Sequence, residues 1–67
     1  MNLPEYSNSQ ISFLIDEHVH SERDRRILKA VLIDGMHFEP LAEREDMSVR
    51  HIKRIVYREE QRLLKYL

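Results

Sequence analysis

The side chains of this sequence that could do chemistry are mostly cations spaced along one predicted helix. Arg50, Lys53, Arg54, Tyr57 and Arg58 follow the spacing of one helix face, and no acidic residue lies between positions 47 and 58. Arginine and lysine donate hydrogen bonds to phosphate oxygens, and arginine also forms paired hydrogen bonds with base edges. The pattern therefore predicts that the protein binds a polyanion and does not catalyse a reaction on it.

The helix that carries these cations is expected to begin at Ser48, because a serine oxygen can accept a hydrogen bond from a free backbone N–H of the first turn. The opposite arc is apolar and is expected to face the core; it contains Val49, Ile52, Ile55, Val56, Leu63, Tyr66 and Leu67. His51 lies on the flank of the cationic face and could donate to a phosphate. A solvated face of an ordinary amphipathic helix is the alternative interpretation.

The segment before this helix favours DNA as the polyanion that the helix binds. Residues 38–45 predict a helix of about two turns, since Pro40 is tolerated only in a first turn. Leu41 and the small Ala42 are expected to point inward and to allow a close crossing. The apolar side chain of Met47, just before Ser48, is expected to fill the space between this short helix and the basic helix. A short helix, a tight turn and a capped basic helix follow one another in the order of a helix-turn-helix.

The run from residue 21 to residue 56 resembles the region 4 helix-turn-helix of bacterial sigma-70 family factors and, more loosely, other small bacterial and phage helix-turn-helix regulators. The resemblance implies a four-helix domain whose last helix enters the major groove, and contact with RNA polymerase. The chain has no room for the other sigma regions. Pro40 and Asp46 depart from the pattern, and Asp46 stands where many such turns carry glycine. The matching residues are Glu22, Arg23, Arg25, Arg26, Ile27, Leu28, Gly35, Leu41, Ala42, Met47, Ser48, Ile52 and Lys53.

Two bracing helices are expected ahead of this pair. Ser7 or Ser9 could cap the first, about 8–20, and Ser21 with Asp24 has the spacing of a capping box for the second, about 22–34. Gly35 ends the second helix, because glycine accepts a left-handed backbone. Inward positions are Ile11, Leu14, Ile15 and Val19 in the first helix, and Ile27, Leu28, Val31 and Leu32 in the second. We predict an all-α, four-helix fold, one domain over residues 1–67, with residues 1–6 as a loose lead and a helix-turn-helix at about 38–66.

Size and composition exclude several classes of protein. A chain of 67 residues without cysteine has neither a disulfide nor a thiolate zinc site. A domain this small buries only about 60% of its unfolded surface, so oligomerisation is a common source of added stability. No membrane span or signal peptide is evident, which favours the cytoplasm.

The charge is distributed unevenly along the chain. The formal net charge is −1 and the pI is about 6.4, which is lower than the strongly basic pI typical of nucleic-acid-binding domains. The net charge is −3 over residues 1–20, −1 over 21–43 and +3 over 44–67. This polarity would turn the C-terminal part toward phosphate.

Catalytic and metal-binding alternatives are weaker. His18 and His20 would diverge on a continuous helix, and no histidine pair has metal-ligand spacing. The carboxylates at 16–17 and 43–46 are expected to be surface charges, so we predict no enzyme, no cofactor and no metal. Glu59 falls in the apolar arc; either the helix leaves the core after Val56, or Glu59 pairs with an arginine of the second helix such as Arg23 or Arg26.

The sequence thus predicts a sequence-specific DNA-binding transcriptional regulator. Arg50 and Arg54 would reach base edges, and Lys53 would hold a phosphate. The predicted interface comprises Ser48, Val49, Arg50, His51, Lys53, Arg54, Tyr57 and Arg58. The alternative is a protein-binding adaptor or inhibitor, of the kind found in phages and mobile elements, that docks RNA polymerase or another nucleic-acid enzyme. Leu64 and Tyr66 offer apolar surface for a homodimer.

Overall fold

The protein folds into four α-helices, as seen in a computed structural model that describes residues 6–67. They are α1 (Asn8–His18), α2 (Glu22–Leu32), α3 (Phe38–Glu45) and α4 (Val49–Leu64), and the described range contains no strand. The predicted all-α class with four helices is confirmed. Most of the predicted N-terminal lead, residues 1–5, lies outside the described part of the chain.

Serine side chains start three of the helices, as predicted. Ser7 forms a reciprocal capping box with Gln10, in which the two backbone-to-side-chain hydrogen bonds measure 2.8 and 3.1 Å. Ser21 accepts from the Asp24 N–H at 3.2 Å, and Ser48 accepts from the His51 N–H at 3.1 Å. Each bond satisfies a backbone donor that the first turn of a helix leaves free.

The first helix ends at His18, two residues before the predicted end. Val19 is extended, with φ −107° and ψ 112°. The Arg25 guanidinium donates to the Val19 carbonyl at 2.9 Å and to the His20 carbonyl at 3.1 Å, so these oxygens have partners outside a helix. After α2, Gly35 adopts φ 69°, and the Met36 N–H donates back to the Ala30 carbonyl at 2.9 Å.

The core draws on all four helices, and α4 packs against each of the other three. Predicted inward positions of α1 and α2 are buried or, for Leu14, Val31 and Leu32, partly buried against the core. Leu41 and Ala42 of α3 are buried as predicted. The buried apolar residues are Ile11, Ile15, Val19, Ile27, Leu28, Ala30, Leu41, Ala42, Ile52, Ile55, Val56 and Leu63.

The buried arc of α4 does not extend to Tyr66 and Leu67 as helical spacing predicted, whereas the surface position predicted for Leu64 and Tyr66 is confirmed. Tyr66 is 54% exposed and Leu67 41% exposed. The α-helix ends at Leu64, and the Tyr66 N–H bonds to the Leu63 carbonyl three residues back. A 3₁₀-type turn rotates the chain more per residue than an α-helix does, so the last two side chains leave the helical arc.

The turn between α3 and α4 depends on a left-handed residue at Asp46. Its φ of 55° and ψ of 47° let the Met47 N–H donate to the Ala42 carbonyl at 2.9 Å. This bond closes the end of α3 and turns Met47 toward the core, where it is partly buried. The left-handed geometry at Asp46 and the inward position of Met47 are both confirmed.

Substitution of Asp46 by glycine is expected to raise the free energy of unfolding by about 0.5–1 kcal/mol. A left-handed backbone costs an L-residue about 1–2 kcal/mol, and glycine removes that cost while adding some entropy to the unfolded chain. Urea unfolding followed by circular dichroism measures the change. Asp46→Ala is the control and should not stabilise; equal effects of both substitutions would contradict the explanation.

Candidate nucleic-acid interface

The cationic face predicted for α4 lies on the solvent side of that helix. Arg50, His51, Lys53, Arg54 and Tyr57 are all exposed, whereas Ile52, Ile55 and Val56 behind them are buried. Ser48 is exposed at the cap and Val49 is half-buried against the core. The face therefore stands on a helix that is fixed from behind by packing and at its start by a serine cap.

Most of these cations are available to a ligand. Within residues 6–67, the side chains of Arg50, His51 and Arg54 make no hydrogen bond or ion pair. The first turn of α4 contains no acidic residue, so the partial positive charge of the helix start is not neutralised there. The surface around Arg50 and Arg54 is thus suited to an anion.

Phe38, at the start of α3, contacts two side chains of the cationic face of α4. The Lys53 Nζ lies 5.8 Å from the centre of the Phe38 ring, a cation–π distance. Tyr57 meets the same ring edge to face, with centroids 6.3 Å apart and planes at 86°. The sequence reasoning missed Phe38. The signal was available, since Phe38 stands three and four residues before Leu41 and Ala42 and so shares their inward face of α3.

Arg58 differs from the other predicted interface residues because it holds the fold together. Its Nη2 donates to the Asp24 Oδ2 at 2.9 Å and its Nε to the Glu59 Oε1 at 3.4 Å. The Asp24 side chain is 5% exposed and that of Arg58 51% exposed. Arg58 therefore connects α4 to the start of α2, and only part of its guanidinium faces solvent.

Three acidic residues within positions 6–67 are buried, and Arg58 contacts two of them, Asp24 and Glu59. Asp24, Glu59 and Glu60 are each no more than 7% exposed. Glu59 is paired, but the predicted partners are wrong: Arg23 pairs with Asp24 at 3.0 Å, and Arg26 pairs with Glu45. The Arg62 Nε lies 3.1 Å from the Glu59 Oε2, out of line for a hydrogen bond, so this contact is an ion pair only.

The α4 helix does not leave the core after Val56, which removes the other predicted explanation of Glu59. Leu63 is still 1% exposed. Glu59 stays in the buried arc because Arg58 and Arg62, beside it on α4, reach back over it from the solvent edge. Long arginine side chains can bury their stems and keep the charged end near water.

Arg26 of α2 and Glu45 at the end of α3 form a two-pronged ion pair. The Nη2–Oε1 distance is 2.6 Å and the Nε–Oε2 distance 2.9 Å. Hydrogen bonding from Arg26 lowers the pKa of Glu45, and the same bond raises the pKa of Arg26. The pair fixes α3 on α2 immediately before the turn that leads to the cationic face.

We expect Glu45→Gln to reduce the loss of stability in acid. Because the pKa of Glu45 is lowered by folding, its charge stabilises the fold above the ordinary glutamate pKa of about 4.3, and this contribution is lost as pH falls through the lower folded value. Urea unfolding between neutral pH and pH 3 measures the slope. Glu43→Gln, at an exposed neighbouring position, is the control; the same flattening in both variants would contradict the assignment.

His18 and His20 are placed differently from expectation. Their predicted divergence assumed a helix to His20, but α1 ends at His18 and both residues line one cleft. The His18 ring stacks on Tyr66 with centroids 3.6 Å apart. No group of three or more histidine, aspartate or glutamate side chains in residues 6–67 could hold a metal ion.

The other predicted surface carboxylates are at the surface or in ion pairs. Asp16 is half-exposed and pairs with the Lys29 Nζ at 2.8 Å, and Glu17 is exposed. Glu43 and Asp46 are exposed, while Glu45 is largely covered by Arg26. None of the helices described is both long and apolar enough to cross a membrane.

Comparison with known proteins adds no relative. No family model matches the chain, and no curated protein and no solved structure matches it either. The similarity to sigma-70 region 4 therefore remains a prediction from the residues that carry it.

Proposed function

We propose that the chain binds duplex DNA with the exposed cationic face of α4 and acts as a sequence-specific transcriptional regulator. In this proposal α3, the turn at Asp46 and α4 form a helix-turn-helix. One observation carries it: Arg50, Lys53 and Arg54 stand together on the first two turns of a helix that is capped, backed by the core and free of acidic side chains at that face. An α-helix of about 10–12 Å diameter fits the major groove.

The side chains divide into two roles. Arg50 and Arg54 have no partner within the described residues, so their planar donor groups are free to pair with base edges. Lys53, His51 and the solvent-facing part of Arg58 would hold phosphates, and Tyr57 would contact backbone or a thymine methyl. Ser48 and Val49 fix where the helix starts. For a bacterial or phage regulator, the compartment that holds DNA is the cytoplasm.

Selection of bound fragments from a random duplex library, followed by titration with salt, tests the proposal. An enriched motif whose affinity falls steeply with salt and is competed by heparin is expected, because phosphate contacts release counterions. Failure to retain any duplex at low ionic strength would overturn it. The alternative adaptor function predicts binding of a protein that survives the same rise in salt.

Lys53→Ala is expected to weaken binding to all sequences alike and to lower the slope of log affinity against log salt by about one. A lysine that touches only a phosphate carries no sequence information. The ring of Phe38 positions Lys53 without neutralising it. Anisotropy titrations of a selected and a scrambled duplex at several salt concentrations measure both effects. A loss confined to the selected duplex would show that Lys53 reads a base.

One observation favours a protein partner as well. Apolar side chains of α1 and the C-terminus border a shared groove lined by Tyr6, Phe13, Leu14 and Tyr66. Phe13 is 61% exposed, so covering its ring would remove apolar surface from water. We assign this groove to a second copy of the chain, since a dimer would supply a second half-site about 34 Å away and so compensate for one weak module. RNA polymerase is the competing occupant.

Phe13→Ser is expected to shift a monomer–dimer equilibrium toward monomer. Analytical ultracentrifugation over a range of concentrations measures the shift, and circular dichroism confirms that the variant is folded. Leu67→Ser is the matched control, because Leu67 is also exposed (41%) but does not line the groove and was not assigned to the dimer surface. A wild-type protein that is monomeric at every concentration would refute the dimer.

A further inference from the structure

A second cationic surface lies at the opposite end of α4 from Arg50. It is a cleft of about 400 Å³ between the end of α1 and the last turns of α4. Arg54 and Lys65 are separated along α4 by about 16 Å at 1.5 Å per residue, so the cleft lies beyond the proposed base-reading residues. The lining contains no acidic side chain and consists of His18, His20, Arg58, Gln61, Arg62, Lys65 and Tyr66.

The two arginines of the cleft are held in place from behind. Arg58 uses its Nη2 on Asp24 and its Nε on Glu59, and the Nε of Arg62 lies against the other oxygen of Glu59. Both carboxylate side chains are 5% exposed, so they anchor the guanidinium groups from the buried side. A guanidinium has five N–H donors, and those left over can face the cleft without further loss of side-chain entropy.

Lys65 and His20 add donors that have no partner within residues 6–67. Arg58, Arg62 and Lys65 border a space that no carboxylate side chain enters, and of these three cations only Lys65 has no carboxylate partner within residues 6–67. The C-terminal ends of α1 and α4 oppose an anion, but each contributes only about half an elementary charge. Asp24 and Glu59 offset much of the arginine charge from the buried side, so the excess positive charge at the cleft comes mainly from Lys65 and suits an anion.

We propose that this cleft binds the phosphate groups of a phosphorylated ligand. A volume near 400 Å³ lies in the range of small-molecule sites, about 300–1,000 Å³, and exceeds what a single phosphate fills. Arginine and lysine provide the charge-assisted hydrogen bonds that recognise phosphate oxygens. The phosphates come either from a small diphosphate-bearing molecule or from the DNA backbone beyond the segment that α4 reads.

Titration of the protein alone with pyrophosphate at constant ionic strength, followed by NMR, tests the proposal. Saturable shifts are expected at the His18 and His20 rings and at the Lys65 amide. The double variant Lys65→Gln with His20→Gln should bind about tenfold or more weakly, since two donors are lost. The control is Lys29→Gln, whose ammonium pairs with Asp16 outside the cleft. Absence of saturable shifts, or equal weakening by Lys29→Gln, would overturn the proposal.

A second arm of the experiment identifies the source of the phosphate. A selected duplex is added to the protein saturated with pyrophosphate. Competition between the two at the His20 and Lys65 resonances would assign the cleft to the DNA backbone, and simultaneous binding would assign it to a small ligand. Because pyrophosphate binding is measured without DNA, it can fail while the DNA-binding proposal holds, and the reverse is equally possible.

Discussion

Replacing Arg54 with alanine is expected to weaken binding to a selected duplex by about 1–3 kcal/mol, roughly five- to 150-fold, and to relax the sequence preference at one position. The guanidinium of Arg54 is exposed and unpaired within residues 6–67, so the wild-type side chain gives up no internal hydrogen bond or ion pair when it binds a base. The substitution also leaves the core unchanged. Arg50→Ala should act in the same way at a neighbouring base pair.

Fluorescence anisotropy at one fixed salt concentration measures these losses on the selected duplex and on a scrambled one. Arg44→Ala provides the matched control, because Arg44 is an exposed arginine of α3 that pairs with Glu45 and lies outside the cationic face of α4. Its substitution should change both affinities little. Equal losses on both duplexes for Arg50 and Arg54 would contradict their assignment to bases.

The largest effect on folding is expected for Ile52→Ala. Ile52 is fully buried on the face of α4 opposite the cations, and truncation of a buried isoleucine costs about 2–5 kcal/mol. A domain of this size has a total stability of about 3–10 kcal/mol at 0.05–0.15 kcal/mol per residue. The variant should therefore be partly or largely unfolded at 37 °C, and its loss of DNA affinity should match its unfolded fraction.

Urea unfolding followed by circular dichroism measures the effect of Ile52→Ala. Leu64→Ala is the control on the same helix: Leu64 is 47% exposed, so about 0.5 kcal/mol or less is expected. A small loss of stability for Ile52→Ala would contradict the packing of α4 against the core. It would also contradict the explanation that this packing keeps the cationic face rigid.

The parts of the fold that could be predicted from the sequence are those decided by near neighbours. Ser48 and Ser21 cap helices because the donor they satisfy is three residues away. The left-handed turn at Asp46 was predictable because short polar residues tolerate that geometry. The end of α1 was not predictable, since it depends on Arg25 reaching carbonyls five and six residues earlier.

The candidate site was predictable to a similar degree. Helical spacing placed Arg50, Lys53 and Arg54 on the exposed face, and the structure confirms their exposure. Spacing could not reveal that Arg58 is tied to Asp24, because the two residues are 34 apart in sequence. The burial of Glu60 was also missed, since an acidic residue in a helix is by default assigned to solvent.

The ion pairs that join the helices have a practical effect on measurements of this protein. Arg58 with Asp24 and Arg26 with Glu45 connect distant segments through partly hydrated arginines. Dissolved electrolyte screens such contacts just as it screens contacts with phosphate. Rising ionic strength should consequently shift the folding equilibrium together with the association equilibrium. A dissociation constant at high electrolyte concentration then has to be corrected for the population of folded molecules under the same conditions.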